Sequence, residues 1–475
     1  MNGGTTAIRR IVAVVVITAA VGCGYLALRD DAAPAATTRT PRLATPLWSP
    51  RRVPQPLVDA VGAQRLQSRL DAELGANQNC VLVTDGAGEL ASRSPNTVLA
   101  PASTEKLLTA VVALSTMGPD FKYETKAVAP AAPANGAVPR LWLVGAGDPG
   151  LATPEYQALI ASDPETKDEV TTSLVTLADS IVAAGVRSIP GGVQGDDSRY
   201  DTMRYLPTWK DTYRTDGQIG PIGALTVNHG FSAFKPKLVP VDDPAVFAAQ
   251  ELTRLLTDRG VAVGGAPGHS NAPGDAVSIA SVQSPPLHDV VASFIRISDN
   301  LGGEMMTREL GARVANQGTT AAGTRVIADK ARELGIPVEG LTLVDGSGLD
   351  RGNRVSCRTL LSALALGVRP ELRAVWDGLA VAGQSGTLED ELRGSPLTGK
   401  LRGKTGSLQG VTGLAALIDQ GRAVSFAFLA NGNFEESGGI AIRARIADIV
   451  GRFPDAPAPD QLVPMPNAPA AAASP

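Results

Sequence analysis

Apolar positions are distributed differently in successive parts of the chain. From Ile11 to Leu28 they run nearly unbroken, behind Arg9 and Arg10 and ahead of Arg29, Asp30 and Asp31. A positive start followed by an apolar stretch marks an exported chain. Eighteen residues is near the lower limit for crossing a bilayer. The expectation is an uncleaved signal anchor over residues 1–29, with cleavage, including lipoprotein processing at Cys23, as the alternative. Further on, Leu57, Val61, Leu66, Leu70 and Leu74 recur at helical spacing. Cys80–Val83, Val411–Ile418 and Ala423–Ala430 predict strands, with turns at Asp85-Gly86 and Asp419–Arg422. Strands from both ends of the body then share one antiparallel sheet, with helices from the middle, which is an α+β arrangement.

The region from Tyr123 to Asp275 breaks this pattern, with short strand–helix units and many Gly and Pro residues. It predicts an inserted accessory region (123–275) within a main body formed by 57–122 and 276–453. Inside the insertion, Val246–Leu256 predicts an amphipathic helix. Residues 30–56, rich in Pro, Ala, Thr and Arg, predict an extended spacer, and the Pro/Ala-rich residues 454–475 a disordered tail.

Composition narrows the function classes. The 475 residues carry a net charge of −4 and the body has no Lys/Arg run, which argues against nucleic acid as a partner. His229, His269 and His288 are scattered, and Cys23, Cys80 and Cys357 lack zinc-like spacing, so no metal or cofactor site is expected. In an exported body, Cys80 and Cys357 are either one disulfide or two buried thiols; the distance between them decides.

Three short motifs carry the chemistry. In Ser103-Thr104-Glu105-Lys106 the serine opens a helical run, and a spacing of three puts the lysine one turn on, beside the serine oxygen. A neutral lysine there can take the hydroxyl proton, and burial with nearby positive charge is what makes a lysine neutral. The free N–H groups of the helix start point at any oxyanion formed on Ser103. In Ser298-Asp299-Asn300, Ser298 can relay a proton, Asn300 can orient Lys106, and Asp299 is expected to serve structure. In Lys404-Thr405-Gly406, Lys404 and Thr405 suit a substrate carboxylate, and Gly406 suits close approach of a substrate backbone. The N–H of Ser407 is the second expected oxyanion donor. A second Ser-x-x-Lys, Ser232 to Lys235, is discounted because Pro236 follows and no helical run continues.

Together and in this order, the motifs resemble those of the penicillin-recognising serine enzymes. The 195 residues separating Ser103 from Ser298 exceed a compact β-lactamase layout. The chain is most similar to the D-alanyl-D-alanine carboxypeptidase/endopeptidase family, the class C low-molecular-mass penicillin-binding proteins. Leu143–Pro149, Gly195–Ser198, Ala224–Asn228, Ser284–Leu287 and Asp345–Leu349 support the likeness, which covers about residues 57–452. It implies a β-lactamase/transpeptidase-like fold and an enzyme acting on peptidoglycan stem peptides, with β-lactams as acylating ligands.

By resemblance Ser103 is the nucleophile, Lys106 its base, Ser298 and Asn300 the second catalytic element, and Lys404 the carboxylate-recognising cation. Arg351, after a loop in which Asp350 replaces the family's serine, is a candidate for binding a stem-peptide carboxylate. The loop Gly383–Leu388 also departs slightly from the family form. The rivals are a β-lactamase, for which no Glu-x-x-Leu-Asn is present, and a non-catalytic binding module, against which all three motifs are intact.

Overall fold

The structure, a computed structural model, describes residues 55–455 except 76 and 165. The expected signal anchor, residues 30–54 of the spacer and 456–475 of the tail lie outside the described residues. Among the described residues, no helix is long and apolar enough to cross a membrane.

The body opens with α1 (Gln55–Glu73), which with Leu74 buries Leu66, Leu70 and Leu74 on one side. β1 (Gln78–Asp85) turns into β2 (Gly88–Arg93) where the Asp85 carboxylate accepts from the N–H groups of Ala87 and Gly88. A short 3-10 turn, Ala102–Glu105, leads into α2 (Lys106–Met117). Helix α2 is buried on all sides from Lys106 to Leu114, as expected of a helix in the centre of a large core rather than on its surface.

The chain then enters the accessory sheet. β3 (Glu124–Ala129) pairs antiparallel with β4 (Leu141–Val144), and β4 pairs in parallel with β5 (Val193–Asp196). α3 (Pro244–Thr257) follows, capped by Asp243, and packs Ala245, Ala248, Leu252 and Leu256 against Leu141, Leu143 and Val193 in a second core. It contains the helix expected at Val246–Leu256. β6 (Val277–Gln283) closes this sheet by pairing with β3. The accessory sheet therefore reaches past the expected boundary at 275, because ladder pairing with β3, not local composition, decides where β6 belongs. The segment is stitched where it leaves and returns: the N–H of Ser284 donates to the Tyr123 carbonyl and the N–H of Tyr123 to Ser284 Oγ, at 2.9 and 3.0 Å.

The return passes through α4 (Leu287–Ile297) and α5 (Asn300–Ala315), then to β7 (Leu401–Leu408), β8 (Val411–Asp419), β9 (Ala423–Asn431) and α6 (Glu436–Gly451). The main sheet has the order Ala380–Val381, β7, β8, β9, β1, β2. Cys80 lies opposite Leu429 in the antiparallel β1–β9 pair, so strands from the two ends of the body do share one sheet. Cys80 is bridged to Cys357, with Cα atoms 5.9 Å apart, which resolves the cysteine alternatives in favour of the disulfide.

Candidate active site

The nucleophile's turn is held in an uncommon conformation. Ala102, just before Ser103, has φ +47°, and Ser298, at the C-terminal end of α4, has φ +60°. Left-handed backbone at non-glycine residues is costly and persists where surrounding structure enforces it, often at reactive centres. Gly348 backs the first of these: a Cβ there would lie 2.0 Å from the Ala102 carbonyl oxygen. Gly406 has a similar role. Its Cβ would meet the Pro101 carbonyl at 2.6 Å and Thr104 at 3.1 Å. The close approach expected at Gly406 is thus made by the nucleophile's own turn, which is how β7 comes to lie beside Ser103.

Lys106 Nζ has three acceptors around it: Ser103 Oγ at 2.9 Å, Asn300 Oδ1 at 2.7 Å and the Ser347 carbonyl at 2.6 Å. A carbonyl and an amide oxygen can only accept. They take two hydrogens of a neutral amine and leave its lone pair facing Ser103. Burial lowers the lysine's pKa to about 8, outweighing the opposing pull of Asp299, Asp345, Glu304 and Glu105.

Asn300 spans the two parts of the chain, since its Nδ2 donates to the Gln218 carbonyl of the accessory region at 2.8 Å. Asp299 caps α5 through the N–H of Gly302, the structural role expected of it. Lys404 Nζ donates to Ser298 Oγ at 2.9 Å and to the Thr405 carbonyl at 3.0 Å. Burial first, then the charges of Lys106 and Arg443, push Lys404 well below the usual lysine range.

A cleft of about 400 Å³ opens here, lined by Ser103, Ser298, Thr387, Thr405, Ser407 and Arg443 among others. Thr405 Oγ1 donates to Thr387 Oγ1 at 2.7 Å, tying β7 to the Gly386–Leu388 turn. The short strand beside β7 pairs only with Arg402 and Gly403. From Lys404 onward, that side of β7 has no strand partner among the described residues, which leaves an edge to which an extended peptide can add.

Arg351 is placed elsewhere. It is exposed, donates to the Gln409 carbonyl at 2.5 Å and does not line the cleft. The discounted Ser232 lies in the short strand Phe231–Ala233, where Ser232 Oγ donates to the Val239 carbonyl.

Sequence reasoning missed Arg443. It projects from α6, only 3% exposed, and its Nη1 donates to Ser407 Oγ at 2.6 Å and to the Gly406 carbonyl at 3.2 Å. Its Nε donates to Glu391 Oε2 at 2.9 Å. The available signal was an arginine on the same helical face as Gly439, Ile446, Ala447 and Val450. Also missed were Glu105, Glu304 and Asp345, three buried carboxyl groups close to Lys106. Neither oxygen of Glu105 has a hydrogen-bond partner among the described residues. Burial, with Asp345 and Glu304 nearby, pushes its pKa well up.

The D-Ala-D-Ala carboxypeptidase 3 (S13) family matches this chain over residues 63–240 and 232–452. The chain belongs to this family. A D-alanyl-D-alanine carboxypeptidase of Actinomadura sp. is 28% identical over 449 residues, covering 76% of this chain and 80% of the relative. Carboxypeptidase DacB of Mycolicibacterium smegmatis is 30% identical over 456 residues, covering 92% and 94%. Among solved structures, penicillin binding protein 4 (dacB) of Haemophilus influenzae shares the fold, with a TM-score of 0.68 and 20% identity over 82% of this chain and 98% of that one. As an S13 family member the chain is a serine-type D-Ala-D-Ala carboxypeptidase with a mixed α+β, penicillin-binding-protein fold.

Proposed function

We propose that Ser103 is acylated by the penultimate D-alanine of a peptidoglycan stem peptide, with Lys106 as general base. Neutral Lys106 takes the hydroxyl proton while Ser103 Oγ forms a bond to the carbonyl carbon. The developing oxyanion is met by the N–H groups of Ser103 and Ser407. The C–N bond to the terminal D-alanine then breaks, and the leaving nitrogen receives the proton that Lys106 took, relayed through Ser298 Oγ, which Lys404 holds, so that Lys106 is neutral again. Water, activated by the same lysine, attacks the ester, and Ser103 regains its proton.

Lys404 and Thr405 meet the terminal carboxylate, whose charge keeps the proton on Lys404. A β-lactam, an amide with its own carboxylate, acylates Ser103 by the same first step. The observation that carries this reading is the arrangement around Lys106, where two acceptor-only groups leave the lone pair no direction but Ser103.

Stem peptides lie outside the cytoplasmic membrane, so the enzyme works there. A buried disulfide suits that oxidising compartment. Attachment to the membrane through Ile11–Leu28 rests on that segment's charge and apolar pattern. The test is release of D-alanine from a synthetic stem peptide ending in D-Ala-D-Ala. The parent should release it and Ser103→Ala should not. A folded parent that releases none would overturn the proposal.

A further inference from the structure

Resting on that reading of Lys106, we propose that Glu304 is a positioning residue for the general base, acting through the Ser347 carbonyl. Glu304 lies on α5, one turn beyond Asn300, and is fully buried. Its Oε1 accepts from the N–H of Gly346 at 2.9 Å and from that of Ser347 at 2.8 Å. The Ser347 carbonyl, in turn, takes a hydrogen from Lys106 at 2.6 Å. Thr109 Oγ1 donates to the Gly346 carbonyl at 2.8 Å, and Asp345 accepts from Trp209 Nε1 and from the N–H groups of Gly348 and Asp350. The turn is thus pinned on several sides: Glu304 holds the N–H groups of Gly346 and Ser347, and Asp345 holds that of Gly348, which shares a peptide plane with the Ser347 carbonyl.

Asn300 and Glu304 therefore form a pair on one helical face. Asn300 takes one hydrogen of Lys106 directly, and Glu304, through the Ser347 N–H, orients the residue whose carbonyl takes the other. Release of that oxygen frees the ammonium or amine to rotate, and its lone pair no longer points at Ser103. Misplacement of a catalytic group by an ångström costs up to ~10²-fold in rate.

Glu304 also acts on Lys106 through charge. Burial first, then Asp345, raise its pKa to about 8, and its negative charge favours the protonated form of Lys106. Other groups face the pair: Glu105, Asp299, Asp345 and Lys404 around Lys106, and Arg308 beside Glu304. Each of these residues is kept in a Glu304 variant, and Glu105, whose pKa Glu304 helps to raise, responds to the loss of that carboxylate. Glu304 Oε2 has no hydrogen-bond partner among the described residues, so glutamine loses no contact there and keeps the Oε1 acceptor.

The experiment follows penicillin acylation of the parent, E304A, E304Q and S103A by time-resolved intact mass across pH 6–9. E304A should acylate about 10–100-fold more slowly than the parent, and E304Q should recover most of that loss. E304Q's acylation rate should level off at lower pH than the parent's, because no charge develops at residue 304 to hold the proton on Lys106 as the pH passes about 8. A merely structural glutamate would not move that limb of the profile. A folded E304A acylating at the parent's rate overturns the inference. If E304A does not fold, an E304Q limb that coincides with the parent's overturns it instead. If the parent itself is not acylated, it is the reading of Ser103 and Lys106 that fails.

Discussion

Lowering the pH should switch the enzyme off through one side chain. Acylation needs neutral Lys106, whose pKa burial brings to about 8, so half the molecules are competent at pH 8. At pH 6 the neutral fraction is about 1%, a fall of ~50-fold, with the rate dropping tenfold per unit at the acid end. The carboxylate of penicillin is ionised throughout this range and adds no slope of its own. The assay is the second-order acylation rate with a fluorescent penicillin, which reports the free enzyme's ionisation. Lys106→Arg makes the complementary test. It keeps a positive charge but cannot deprotonate, and should lose on the order of 10²–10⁴-fold at every pH. A flat rate between pH 6 and 8, or an active Lys106→Arg, would refute the assignment of Lys106 as base.

Other variants probe the surrounding parts. Arg443→Ala leaves the part-buried Glu391 without its partner and should cost about 1–3 kcal/mol in chemical denaturation, part of it recovered when Glu391→Ala is added. Lys404→Gln removes the cation facing the substrate carboxylate and should lower kcat/KM on a stem peptide about 10–150-fold. Cys80→Ala with Cys357→Ala opens a bridge between residues 277 apart and should lower stability in urea by about 2–4 kcal/mol. Unchanged midpoints in the oxidised and reduced parent would count against that contribution.

The parts of this molecule legible in sequence are those written locally. Ser103 and Lys106 are one turn apart, the Ser298 and Lys404 motifs are contiguous, and β1, β8 and β9 are apolar runs between turn residues. Even the refusal of Ser232–Lys235 followed from Pro236 and the lack of a helical run after it. The parts that stayed hidden depend on pairing over distance. β6 looks like main-body chain until it is seen against β3, and Cys80 meets Cys357 across a separation of 277 residues that no local pattern bridges. The Ser347 and Gln218 carbonyls are backbone groups that any residue carries, so no side-chain pattern announces them. Arg443 reaches the site from a helix far along the chain, and its signal was a charge on an apolar face. Arg351, suggested by its place next to a family loop, donates one hydrogen bond to the Gln409 carbonyl at the turn between β7 and β8.

The central claim is that Ser103 forms the acyl-enzyme, and intact-mass spectrometry of the protein with benzylpenicillin tests it most directly. The account predicts one penicilloyl adduct on the parent, mapped by peptide digestion to Ser103, and none on Ser103→Ala. A folded parent without an adduct, or an adduct that persists in Ser103→Ala, would contradict it.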